Sequence, residues 1–248
     1  MTLYLKTKIS TITQGKFKIR NIVFQLTGGD ILGVIGRSGS GKSTLIKALV
    51  GAIGKYEGTI ELLDDLKKIR VDTSLGYSPQ DNSLYPLLTL KENIYTFGKL
   101  NGMKNNEIDE RMILLLKRLD LLESKDKMIT QLSGGMQKRA DLACALIHNP
   151  KIIVLDEPFN GIDISLQKFI WMFIKELSQE GRIIIISSHM LEDLEKNCNQ
   201  FGLIEGGAYY DTMQIERYLK NSKEKDLEAF LTRLFSRNTH PSSPTKEK

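Results

Sequence analysis

Gly36-Arg37-Ser38-Gly39-Ser40-Gly41-Lys42-Ser43-Thr44 is the stretch on which the reading of this chain turns. It follows the apolar run Ile31-Leu-Gly-Val-Ile35, which reads as a buried strand, and precedes Leu45-Ile-Lys-Ala-Leu-Val50, apolar at helical spacing. Strand, glycine loop and helix in that order are the context of a phosphate-binding loop, and the spacing fits G-x-x-x-x-G-K-[ST]. Glycines let backbone N–H groups close around phosphate oxygens at a helix N-terminus, whose dipole adds attraction for the anion. Lys42 then reaches the β- and γ-phosphates as a point charge and Ser43 offers a hydroxyl to Mg²⁺. A chance glycine turn is the bland alternative, and the flanking strand and helix argue against it.

A second apolar run, Ile152-Ile-Val-Leu155, ends in Asp156 and Glu157. Open α/β sheets bind ligands at the carboxyl ends of their strands. Asp156 is therefore expected to hold the Mg²⁺ shell and Glu157 to orient or deprotonate an attacking water; alone, the pair suits a helix N-cap equally well. Leu132-Ser133-Gly134-Gly135-Met136-Gln137-Lys138-Arg139 opens a helix of its own, and its serine and glycines make a second anion nest.

Outward from these motifs, composition bounds the rest. The chain has 248 residues, 41% hydrophobic and 26% charged, which is ordinary globular composition able to form a core without disulfides or structural metal. Its apolar runs fall far short of the roughly 18 residues a membrane span needs, so a soluble chain is expected. Cys144 and Cys198 form no metal or redox spacing, and Met1 to Lys6 lacks a secretory signal, which points to a reducing cytoplasm. Net charge is +5, with 12 basic against 6 acidic residues in 1–80 and 15 against 19 in 81–211. Such a gradient suits a solvated surface, and no nucleic-acid partner is expected.

Residues 3–26 alternate as a β-hairpin. From Leu84 to Asn149 the period changes: Ile108, Met112, Leu115, Leu116, Leu119 and Leu122 recur every three or four residues, which reads as a helical insertion. Strand-like runs return at Ile152 to Leu155 and Ile183 to Ile186, separated by a helix over Ser165 to Ser178, as in parallel βαβ units. The expected organisation is a nucleotide-binding core split between 1–83 and 150–211, a helical subdomain at 84–149, and a C-terminal helical extension with a flexible tail at 212–248. That extension carries Leu227, Phe230, Leu231, Leu234 and Phe235 on one side. Trp171 reads as helix packing, and His148 and His240 have no partners for a metal or triad.

Leu132 to Met136, twenty-three residues (Ser133 to Asp156) before the carboxylate strand's end, closely resembles the signature loop of the ATP-binding cassette (ABC) family. The resemblance runs from about residue 3 to 211. Tyr77-Ser-Pro-Gln80 looks like the family's Q-loop, Asn160-Gly-Ile-Asp163 like its D-loop, and Ser187-Ser-His189 like its switch histidine. It implies an α/β fold: a P-loop NTPase core of ABC type with a mixed sheet, an N-terminal antiparallel β subdomain and an inserted α-helical subdomain. It implies ATP bound by Gly36, Arg37, Ser38, Gly39, Ser40, Gly41, Lys42, Ser43 and Thr44. Ser133, Gly134, Gly135 and Asp163 would contact it from a second nucleotide-binding subunit, identical or different, placed head to tail. Glu157, His189 and Gln80 would be catalytic, and Ser43, Gln80 and Asp156 would hold Mg²⁺.

The family's adenine-stacking aromatic is replaced by Thr13 with Gln14 beside it; Phe17 is the nearest ring, either a stacking partner or a core strand residue. The segment Asp81 to Asn93 resembles the drug, antibiotic and lipid exporter type. The implied protein is an ATP hydrolase on the cytoplasmic face of the membrane, powering export through a transmembrane permease subunit; a soluble ABC ATPase uncoupled from transport is the alternative. Tyr85, Leu87 and Leu88, apolar in a loop-like stretch that carries Pro79 and Pro86, read either as the socket for that permease or as a cap on the insertion's own core.

Overall fold

Alternating apolar and polar residues build the first hairpin. A computed structural model describes residues 2–53, 55–221 and 229. In it, Leu3–Gln14 (β1) and Phe17–Thr27 (β2) pair antiparallel, setting Leu5 opposite Leu26 and Ile9 opposite Ile22 on the buried face. Ile31–Ile35 (β3), buried at every residue, leads through the glycine loop into Lys42–Leu49 (α1). Tyr56–Asp64 (β4) pairs antiparallel with β1, and Lys67–Ile69 (β5) extends that edge.

Leu75–Ser78 (β6) hands the chain to the helical region, which holds Leu90–Leu100 (α2), Asn105–Arg118 (α3) and Gly134–Leu146 (α4). Its core is the three-and-four-residue stripe of Ile108, Met112, Leu115 and Leu116, packed against Leu90, Ile94 and α4. The chain then runs through Ile152–Asp156 (β7), Ile164–Gln179 (α5), Ile183–Ser187 (β8), Leu191–Asn197 (α6), Gln200–Glu205 (β9), Ala208–Asp211 (β10) and Thr212–Asn221 (α7).

Among the described residues the strands form one mixed sheet in the order β5-β4-β1-β2-β10-β9-β3-β8-β7-β6. The half from β9 to β6 is parallel, and the continuous Ile, Val and Leu runs of β3, β7 and β8 are what strands covered on both faces require. The half from β5 to β2 is antiparallel, and one register position, Ala208 opposite Arg20, joins the halves. This layout positions the site: the carboxyl ends of β3, β6, β7 and β8 release the glycine loop, Gln80, Glu157 and His189 along one edge of the sheet.

No helix among the described residues is long and apolar enough to cross a membrane. The apolar face expected at Leu227 to Phe235 and the tail beyond it lie outside the described residues.

Candidate functional site

The glycine loop is shaped by what surrounds it. A Cβ at Gly36 would stand 2.3 Å from Ser40 Oγ and 2.8 Å from the Ile204 carbonyl, so a side chain there has no room. Gly41 has φ +112°, and a Cβ on it would meet the Phe17 ring at 2.6 Å. Gly41 also supplies no side chain to cap α1, which leaves that helix's first N–H groups for an anion. Ser40 Oγ is buried with no hydrogen-bond partner. These features fit a phosphate group: backbone donors, a basic side chain, and no side chain filling the cradle.

Around the loop lies a cavity of about 860 Å³ lined by Arg37, Ser38, Gly39, Gly41, Lys42, Ser43 and Thr44 together with Gln80, Glu157, Asn160 and His189. Gln14 and Phe17 also line it, and Thr44 Oγ1 donates to Gln14 Oε1 at 2.7 Å. The Phe17 ring, half-buried against Gly41, thus belongs both to the strand and to the cavity wall.

Three side chains connect inside the cavity. Lys42 Nζ donates to the Gly36 carbonyl at 2.9 Å and lies 3.3 Å from Glu157 Oε1. Glu157 Oε2 is 2.9 Å from His189 Nδ1. Glu157 is buried while His189 is exposed, so the carboxylate sits between a buried cation and an accessible imidazole. Its backbone has φ +48°, uncommon for a residue with a side chain. The Glu157 N–H donates to Ser187 Oγ at 2.9 Å and to the Ser187 carbonyl at 3.2 Å, which holds that conformation.

Asp156 does not line the cavity. It is buried at the end of β7, and Ser187 Oγ donates to its Oδ1 at 2.5 Å. Ser43 and Gln80, which line the cavity, and Asp156, which does not, each offer oxygen ligands of the kind a hard divalent cation such as Mg²⁺ takes. Burial, then the nearby Asp156 and Asp141, push the Tyr77 hydroxyl up to about 12. Burial holds the Lys138 ammonium below its usual value in spite of Asp141, Asp156 and Asp81 around it.

The remaining expected residues gather elsewhere. Ser133, Gly135 and Asp163 line a separate depression of about 550 Å³ with Arg139, Leu166 and Phe169, apart from the Lys42 loop. Ser133 Oγ accepts from Met136 N at 3.3 Å and Asp163 Oδ1 from Leu166 N at 3.0 Å, so each caps the helix it opens. Gly134 stands beside them, exposed, with open space where a Cβ would be.

Motif reading missed Ser187 as the residue that ties Asp156 to Glu157, and missed Lys138 and Asp141. Ser187 pairs with Asp156 in register across β7 and β8, a signal that exists only once strand order is known.

The chain matches the family model described as ABC transporter over residues 19–160. It is 33% identical over 204 residues to the Nod factor export ATP-binding protein I of Sinorhizobium fredii, covering 81% of this chain and 60% of that one. An ABC transporter ATP-binding protein of Methanocaldococcus jannaschii is 32% identical over 230 residues, covering 88% and 84%. Among solved structures, an ATP-binding subunit of an ABC transporter superposes with TM-score 0.80 at 23% identity, covering 93% and 99%.

Proposed function

The chain belongs to the ABC transporter family and is an ABC-type ATPase, and from that premise we propose that it binds ATP on the Gly36–Thr44 loop and powers export through a separate membrane-spanning subunit. One observation carries the assignment of roles: Lys42, Glu157 and His189 form a single connected chain of contacts at the N-terminus of α1.

In this reading the loop's N–H groups and Lys42 take the β- and γ-phosphates. Glu157 accepts the proton of the attacking water, and His189, in contact with the same carboxylate, holds that carboxylate and the water in line. Gln80 reaches the reacting end of the nucleotide from the cavity wall. Ser43, Gln80 and Asp156 would hold Mg²⁺, which supplies charge neutralisation of the phosphates. Gln14 and Phe17 line the same cavity and would meet the nucleobase, to which a single half-buried ring offers limited stacking.

Ser133, Gly135 and Asp163 line a depression that shares no residue with the cavity of the Lys42 loop, and Gly134 adjoins them in the chain. They would close the ATP bound by a second nucleotide-binding subunit placed head to tail, giving two composite sites. Export is supported by the name of the Sinorhizobium fredii relative, an export ATP-binding protein. A permease partner is supported by Tyr85, 47% exposed, and Leu87, 79% exposed, which stand on the loop between Gln80 and α2. Such a subunit works on the cytoplasmic face of the membrane.

Glu157→Gln tests the assignment. Losing a general base typically costs about 10²–10⁴-fold in kcat, and ATP affinity by equilibrium titration should stay near wild type. Lys42→Ala should instead weaken ATP binding itself. Unchanged turnover in Glu157→Gln would overturn the catalytic role.

A further inference from the structure

Two ionisable side chains of α4 point into the protein interior, where a charge is costly unless it is fully partnered. Asp141 is 1% exposed and Lys138, one turn earlier, 9% exposed. Both oxygens of Asp141 are engaged by one short segment. Oδ2 accepts from Ser78 Oγ, and Oδ1 accepts from both the N–H and the Oγ of Ser83 at 3.0 Å. Lys138 Nζ donates to the Pro79 carbonyl at 3.4 Å. Ser78 is the last residue of β6 and Ser83 lies three residues past Gln80, so the chain on either side of Gln80 stands on one carboxylate. Gln80 itself is exposed and lines the cavity that holds Lys42, Glu157 and His189.

We propose that Asp141 is a positioning residue for ATP hydrolysis, bracketing Ser78 and Ser83 so that α4 sets where Gln80 stands in the site. The inference rests on the assignment of Gln80 to the ATP site made above. It has a mechanical consequence: Ser133 caps the start of α4, so Gln80 and the Ser133 loop are both tied to one helix. Closure of the Ser133 loop on a second subunit's ATP would then carry Gln80 with it. A carboxylate suits the bracket because it accepts three donors on two oxygens and competes with none of them.

The test is ATPase kinetics of Asp141→Ala, Asp141→Asn and Ser83→Ala, each alone and combined with Gln80→Ala. Displacing a positioned group by about 1 Å can cost up to 10²-fold, so Asp141→Ala should lower kcat roughly 10- to 100-fold with KM for ATP within about twofold. Asp141→Asn should recover most of this, since its amide can still accept from Ser83 and donate to Ser78. In the Gln80→Ala background, Asp141→Ala and Ser83→Ala should each change kcat by less than about twofold, because residues acting as one unit are not additive. Full additivity, or wild-type kcat in both bracket variants with Gln80→Ala impaired, would overturn the positioning role alone. Wild-type kcat in Gln80→Ala would overturn the Gln80 assignment and this inference with it. Should Asp141→Ala not yield folded protein, Ser83→Ala, in an exposed loop, decides by the same criteria.

Discussion

Residue by residue, the molecule separates charges that work from charges that are suppressed. Glu157 keeps a cation on one oxygen and an imidazole on the other, so its carboxylate is held in place from both sides. His148 is the opposite case. Its Nε2 lies 3.1 Å from the Leu75 carbonyl, its Nδ1 is buried without a partner, and burial followed by the nearby Arg111 cation outweighs that hydrogen bond and lowers its pKa below the usual imidazole value. The folded protein therefore binds fewer protons than the unfolded chain just below about pH 6.5, and stability falls as pH drops through that range. His148→Gln, which can donate to the same carbonyl, should flatten this acid limb. Urea midpoints between about pH 7.5 and 5.5 measure it, and an equally steep decline in the variant would assign the limb to other groups. Neither His148's burial nor the Asp141 bracket was legible in the sequence. Each depends on a contact across more than fifty residues, Leu75 to His148 and Ser78 to Asp141, that no local period encodes.

Elements were far more legible, because periodicity is local. The glycine loop between β3 and α1, the split of the parallel strands and the helical stripe of Ile108 to Leu119 follow from spacing alone. Sheet order does not: the single Ala208–Arg20 register position that joins the two halves has no signature in either strand. The loop from Gln80 to α2 lies between these cases. Its apolar residues stand out in the sequence, which leaves socket and core cap as two readings of them. The structure divides the loop: Leu84 is buried, and Tyr85 rests partly on Phe97 with ring centroids 6.3 Å apart. Leu87 is left to solvent. The backbone beneath them is fixed, since the Asn93 amide accepts from Tyr85 N at 2.7 Å and donates to the Tyr85 carbonyl at 3.1 Å. The Thr89–Glu92 capping box secures the start of α2. A firm backbone presenting exposed apolar side chains is what a partner surface needs. Tyr85→Ala combined with Leu87→Ser should leave ATPase of the isolated subunit near wild type and abolish its recruitment to membranes carrying the proposed permease partner. Joint loss of folding and ATPase would show that these residues are core instead.

At the scale of the whole molecule, two separate pockets stand at two helix starts. The Lys42 cavity and the Ser133–Asp163 depression are lined by different residues of one chain, and each stands at a helix start. The motifs announced both nests, but only the fold separates them, and that separation makes pairing with a second subunit the economical use of both. The most direct test is light scattering with size-exclusion chromatography on Glu157→Gln with and without ATP and Mg²⁺, alongside Glu157→Gln/Ser133→Arg. Head-to-tail closure predicts that nucleotide doubles the mass of Glu157→Gln, and that Ser133→Arg, which puts a bulky cation in the second half-site, keeps the chain monomeric although ATP still binds. An ATP-dependent dimer that persists in the Ser133→Arg protein would contradict the composite site.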